Sequence, residues 1–268
     1  MAAPVAAAEA RVEVSRHGRV LQLLIDNPAQ RNAVRQEISR AMAKELRLAS
    51  DDESVGAVVI GGAGAHFCSG GDLTTLHESR KVNPPQHHLD RVNSLNEFVR
   101  AIRQCAKPVI AAVEGNAAGA GFSIAFACDM IVAAENAQFV LAYVKIGLNP
   151  DGAGTFFLSR SLPPQLAAEL AMTGAPIAAP RLAQLGAVNR LVPAGKALEE
   201  GRALAATLAA GATNTIARIK RLLNAAQLGT YETQLELERS LFVEALHGEE
   251  AGEGIGAFLE KRRAQFHR

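Results

Sequence analysis

The sequence predicts an α/β fold with parallel strand pairing. Short apolar runs bounded by turn residues alternate with longer amphipathic stretches, each connection is long enough for a crossover, and the strand-like runs stop after about Leu191. The first run, VLQLLI at 20–25, reads as a buried strand. Residues 35–48 then carry apolar side chains at helical spacing with charges on the other face. A second strand is expected at 55–60. The following stretch, TTLHESRKVNPPQHHLD at 74–90, is polar, contains prolines and shows no period, so a mobile loop or lid is expected there. Residues 89–102 return to helical spacing, and strands are expected at 109–113 and 130–133. The remainder is rich in alanine, leucine and glutamate, with helices expected over 198–209, 215–226, 232–246 and 253–266. Their apolar stripes need a covering surface, either the core or another subunit.

The 268 residues are 49% hydrophobic and 21% charged, which suits a large globular core. A net charge of +1 gives no global field for nucleic acid or an anionic membrane, so neither is an expected partner. Cys68, Cys105 and Cys128 are scattered and lack metal-ligand spacing, which argues against a disulfide framework or a zinc site. The start, MAAPVAAAEARVEVSRHGR, has no charged leader ahead of an apolar segment. No run is long enough to span a bilayer, and a cytoplasmic location is expected.

Two glycine-dense stretches follow strand-like runs: GGAGAHFCSGGDL at 61–73 and EGNAAGAGFSIAFACD at 114–129. Such residues let backbone approach a ligand or another segment closely. A dinucleotide fingerprint is incomplete, since Ile124 stands where a third glycine belongs, and no GK[ST] follows to make a phosphate loop. His66, Cys68 and Asp72 lie too close in sequence to converge as a nucleophile, base and acid. Asp72 is expected to stabilise its loop, and Asp129 to be structural.

Taken together with NPAQRNAV (27–34), HFCSGGDL (66–73), KPVIAAVEGNAAGAGFSIAFACD (107–129), AQFVLAYVKIGLNPDGAGT (137–155) and GAFLEKRRAQF (256–266), these stretches resemble the crotonase, or enoyl-CoA hydratase/isomerase, superfamily, and most of all its phenylacetate-pathway isomerases. The resemblance spans nearly the whole chain. It implies a ββα spiral core over 1–195 holding the CoA and acyl sites, and a C-terminal helical trimerisation region over 196–268. It implies an acyl-CoA substrate, no prosthetic group, and a homotrimer or dimer of trimers. The backbone N–H groups of Gly71 and Ala120 would form an oxyanion hole, and the positive end of a helix beginning near Gly121 would face the same spot. Ala29, Arg31, Cys68, Ser69 and Gly70 would hold the CoA moiety. Phe258 and Lys261 would reach a neighbouring subunit's adenine and phosphates. Leu73, Leu76, Phe122, Ser123 and Tyr143 would line the acyl pocket.

A hydratase of this family resembles a two-carboxylate machine, and the matching positions here hold Ser123 and Tyr143. Loss of both acids argues against ordinary hydration, and a phenol is a poor base at neutral pH. The remaining acid is Asp151 in NPDGAGT. Local pattern makes it the N-cap of a helix over Thr155 and the residues after it. Its position also matches the catalytic aspartate of double-bond isomerases in the family and the nucleophile of its dehalogenases. The dehalogenases further resemble enzymes with a tryptophan where this chain has Tyr143 and a histidine on the upstream helix; His87 and His88 lie nearby but are expected to be solvated. The resemblance thus implies an isomerase acting through Asp151, with an atypical hydratase or a silent acyl-CoA-binding homologue as alternatives.

Overall fold

The computed structural model describes residues 10–267. Residues 1–9, on which the absence of a leader was partly read, lie outside the described residues. Among the described residues nine strands form two sheets. The larger has the order β1-β2-β3-β4-β6-β9, built from β1 (Arg11–His17), β2 (Val20–Asp26), β3 (Ala57–Gly62), β4 (Val109–Val113), β6 (Met130–Ala134) and β9 (Arg190–Val192). The β1–β2 pair is an antiparallel hairpin and every other pairing in this sheet is parallel. The smaller sheet joins β5 (Asn116–Ala118), β7 (Gln138–Val140) and β8 (Ile177–Ala178).

Isolated parallel bridges, Cys68 to Ala117 and Val34 to Gly71, extend the smaller layer. From β2 through β6 each strand of the larger sheet is therefore followed by a short second-layer segment and then a helix, which is the ββα spiral. The helices are α1 (Gln36–Asp51), α2 (Leu73–Val82), α3 (Pro85–Gln104), α4 (Ala120–Ala127), α5 (Gly154–Ser161), α6 (Pro164–Thr173), α7 (Ala179–Gln184), α8 (Ala197–Ala209), α9 (Thr213–Ala226), α10 (Tyr231–Leu246) and α11 (Glu249–Leu259).

Strands buried on both faces explain the unbroken apolar runs. Leu23, Ile25, Val58, Ile60 and Val113 pack toward α1, α3 and α4. The alternate residues Val20, Val59, Ile110 and Val132 pack under α8 through Leu204, Ala205 and Ala209. The first helix of the 196–268 region thus covers one face of the core sheet. By contrast, α9 to α11 leave Leu223, Phe242, Ile255 and Phe258 exposed. Buried Lys220 anchors α9: its Nζ lies 2.7 Å from Asp129 and donates to the carbonyls of Ile102 (2.8 Å) and Lys107 (3.1 Å). Asp129 also accepts from the Val109 N–H at 2.8 Å, so this acid ties strands to the C-terminal layer.

Three local expectations are corrected. The 74–90 stretch is two helices rather than a loop. Asp72 caps α2 by accepting from the Thr75 N–H at 3.1 Å, and Pro84 and Pro85 mark the break where α3 begins, proline being suited to a first helical turn. The period was invisible because α2 buries no residue of its own. The residue capping α5 is Ala153, in the left-handed region at φ 59, and not Asp151. The last helix starts and stops earlier than the expected 253–266, running Glu249–Leu259, with Lys261 left-handed at φ 56. No helix among the described residues is long and apolar enough to cross a membrane.

Candidate active site

The two glycine-rich stretches meet where the smaller sheet crosses the ends of β3 and β4. Cys68 donates its N–H to Asn116 (3.0 Å) and accepts from Ala118 (2.9 Å). Beyond this bridge the backbones touch at glycines. Gly70 has φ +99, and a β-carbon there would lie 2.9 Å from the Ala118 carbonyl oxygen and 3.6 Å from the Ala120 nitrogen. Gly119 has φ +52 and ψ −118, and a β-carbon there would lie 3.7 Å from the Gly70 Cα. Only glycine fits either position without strain.

This packing sets the Gly70–Gly71 segment against the start of α4 at Ala120. A parallel bridge uses the groups of the flanking residues, here the Gly70 carbonyl accepting from Val34 at 2.7 Å, so the Gly71 N–H turns to the other side. Ala120 is the first residue of α4, where an N–H has no intrahelical acceptor. A pair of such donors at a helix start suits a carbonyl oxygen that gains negative charge.

Asp151 lies on the turn after β7, within a phenol's length of the second donor segment. The Tyr143 hydroxyl donates to Asp151 Oδ1 at 2.5 Å, and the Tyr143 Cζ lies 3.7 Å from a β-carbon built on Gly119. Burial, reinforced by the negative charge of Asp151, pushes the Tyr143 phenol far above its ordinary value. A phenol held this way donates its hydrogen bond to Asp151 and is a poor base at neutral pH. The Ser123 hydroxyl, fully buried on α4, donates to the Asp151 backbone carbonyl at 2.9 Å. Gly152 fits closely below, its β-carbon position 3.1 Å from Leu95 and 3.2 Å from Ser123. Ser123 and Tyr143 thus hold the acid turn, while Asp151 presents the carboxylate.

Nearby groups that could compete are otherwise engaged. Asp72 is ion-paired with Arg35 at 3.0 Å; burial pushes its carboxyl up, but hydrogen bonds from Thr75 and the charge of Arg35 outweigh this and hold it below the usual range. Burial pushes the Cys68 thiol up to about 12, so it is no nucleophile at neutral pH.

Sequence reading missed the wall supplied by α3. Its apolar stripe of Ile102, Phe98 and Leu95, continued backward at helical spacing, reaches Arg91 and His88. Arg91 Nη2 sits 2.9 Å from a β-carbon position on Gly71 and donates to the Asp72 carbonyl at 3.4 Å. His88 corrects the expectation of a solvated imidazole, for both its ring nitrogens are buried without a hydrogen-bond partner. An unsatisfied buried polar group costs about 1–3 kcal/mol. His88→Leu is accordingly expected to raise the thermal unfolding midpoint by several degrees, read by calorimetry; a lower midpoint would mean the imidazole is bonded in solution.

The acyl-pocket residues divide. Tyr143 and Ser123 border the acid as described, Leu76 is partly exposed and Leu73 is exposed at the start of α2. Phe122 does not belong with them. Its ring stacks on Phe126 at 4.2 Å and meets Phe139 edge-on, inside the core.

Among the residues expected to hold CoA, Arg31 and Ala29 are exposed on the 27–33 loop. Asn32 fastens that loop, donating to the carbonyls of Ala63 (2.9 Å) and His66 (2.6 Å). The Ser69 N–H donates to the Arg31 carbonyl at 3.0 Å and its hydroxyl to the Gln30 carbonyl at 2.9 Å, so Arg31 adjoins the 68–70 segment. The backbone N–H and carbonyl of Cys68 are both paired with β5. Phe258 is 82% exposed on α11, and Lys261 follows that helix; within one chain neither forms a side-chain bond among the described residues. A polar cleft of about 360 Å³ lined by Arg103, Asp129 and Arg160 lies at the C-terminal end of α4, away from the two donors.

Fold and site together define an acyl-thioester enzyme class, and comparison with known proteins agrees. The family model for enoyl-CoA hydratase/isomerase matches residues 15–268. The chain is 34% identical to 1,2-epoxyphenylacetyl-CoA isomerase of Escherichia coli K12, over 92% of this chain and 94% of that protein. It is also 34% identical to 2,3-dehydroadipyl-CoA hydratase of the same strain, over 94% and 97%. A crystal structure of an enoyl-CoA hydratase from Polaromonas sp. JS666 superposes with a TM-score of 0.92 at 46% identity, covering 95% of this chain and 98% of that one. The chain belongs to the enoyl-CoA hydratase/isomerase, or crotonase, superfamily.

Proposed function

We propose that this enzyme shifts the double bond of a 3-enoyl-CoA into conjugation with its thioester, using Asp151 as the proton carrier. The observation that carries the reading is the Tyr143–Asp151 hydrogen bond beside the paired donors of Gly71 and Ala120. Asp151 takes a proton from the carbon next to the thioester, and the electron pair moves onto the carbonyl oxygen, where the two N–H groups stabilise it. The same carboxyl returns the proton two carbons along, and the carbonyl re-forms as the 2-enoyl-CoA. One acid suffices because the proton is removed and returned on one face.

Arg31 on its fastened loop is assigned to the CoA phosphates, where a guanidinium suits the geometry. Ala29, Ser69 and Gly70 flank it. Phe258 and Lys261 are assigned to the adenine end of a neighbouring subunit's CoA in a homotrimer or dimer of trimers. The exposed apolar side chains of α9 to α11 support an assembly that covers them.

Purified protein offered 3-enoyl-CoA is expected to generate the conjugated thioester absorbance and to exchange the α-proton with deuterated water. Accumulation of 3-hydroxyacyl-CoA instead would make it a hydratase, and binding without exchange would make it catalytically silent. Tyr143→Phe is expected to lower kcat about tenfold with KM little changed, since the carboxylate loses a charge-assisted hydrogen bond that aims it. The raised phenol also predicts that alkaline titration followed by tyrosinate absorbance has the same amplitude in the variant and the parent up to the pH of unfolding. A larger amplitude in the parent would refute the fixed-donor role.

A further inference from the structure

We infer that Arg91 selects acyl groups bearing a carboxylate, so that the preferred substrates are monothioesters of dicarboxylic acids. This rests on the proposed acyl-CoA function and adds the substrate class. Arg91 is half-buried, and among the described residues no acidic side chain pairs with it; its one bond is the long contact to the Asp72 carbonyl. Other arginines near the sheet ends are matched, Arg35 with Asp72 and Arg103 with Asp129. A partly desolvated guanidinium without a counter-charge is unfavourable, and a planar carboxylate is the anion its fork fits best.

Position argues for the acyl end and not the CoA phosphates. Arg91 shares one face of α3 with Leu95, which packs on Gly152 next to Asp151. It also covers Gly71, at the place a side chain there would occupy. Residue 71 has no side chain, and the Arg91 guanidinium stands in the space one would fill. His88 continues the same polar face one turn away, with ring nitrogens that no protein group satisfies. Arg31 lies apart on the 27–33 loop, beside Ser69.

The test is calorimetric binding of matched saturated thioesters: succinyl-CoA against butyryl-CoA, glutaryl-CoA against valeryl-CoA, and adipyl-CoA against hexanoyl-CoA. CoA is constant within each pair, so a difference reports the far end of the acyl chain. At least one carboxylated member is expected to bind about tenfold or more tighter than its partner, the scale of a charged hydrogen bond. Arg91→Met is expected to abolish that preference and leave the uncharged thioesters within about threefold of the parent, and Arg91→Lys to retain part of it. No preference in any pair, or an equal loss for both members on Arg91→Met, overturns the inference. Tight carboxylate-dependent binding without α-proton exchange would sustain it while sinking the isomerase reading; failure of every thioester to bind would sink both.

Discussion

Asp151→Asn is expected to lower both isomerisation and α-proton exchange by about 10²–10⁴, the range a positioned acid or base contributes. The substitution is nearly isosteric. Its amide oxygen can still accept from the Tyr143 hydroxyl, and the backbone carbonyl of residue 151 still accepts from Ser123, so the turn keeps its supports. What disappears is the ability to take a proton. Acyl-CoA affinity should change by no more than a few-fold, because the donors of Gly71 and Ala120 and the loop carrying Arg31 are untouched. Such a loss in kcat with KM preserved marks a group that acts in the transition state and not in ground-state binding. A variant that keeps more than a tenth of the parent rate would remove Asp151 from the proposed chemistry and turn attention to a bound water.

The contrast between Asp151 and its neighbours shows what one sequence can carry. The strands were legible because burial on both faces leaves a continuous apolar run, as in VLQLLI at 20–25. The glycine stretches were legible because steric exclusion leaves glycine as the residue for positions such as Gly70 and Gly119. The resemblance singles out the acid turn, but local pattern misleads about its role: Asp151 looks like a cap, whereas the residue capping α5 is left-handed Ala153, two positions later. Helix α2 was lost because a solvated helix without a buried face has no period to read. Phe122 was misassigned for the opposite reason. Every residue of α4 is buried, so hydrophobicity alone does not distinguish the face toward the pocket from the face toward Phe126 and Phe139. His88 falls inside the stretch read as a loop and Arg91 at the start of the helical pattern of 89–102, where a charged residue looks solvated; the backward continuation of the α3 stripe is the signal that places both on the inner face.

Deleting a single backbone hydrogen tests the paired donors more sharply than any side-chain change. Ala120→Pro is expected to reduce kcat/KM by at least about 10²–10³, the effect of losing one oxyanion donor, with the ring methylene also standing where the hydrogen was. Proline normally breaks helices, but residue 120 is the first residue of α4, where proline's fixed φ is helical and its missing N–H has no intrahelical acceptor. The residue before a proline must avoid the α region, and Gly119 at φ 52, ψ −118 is the mirror image of an extended conformer, which glycine adopts freely. Thermal stability should therefore fall only slightly while catalysis collapses. Ala120→Gly provides the counterpart, keeping the N–H and costing the helix about 1 kcal/mol or less in propensity, with rates expected to stay within a few-fold of the parent. If the proline variant folds and turns over as fast as the glycine variant, the N–H at position 120 does not face the developing charge, and a different group must stabilise the enolate.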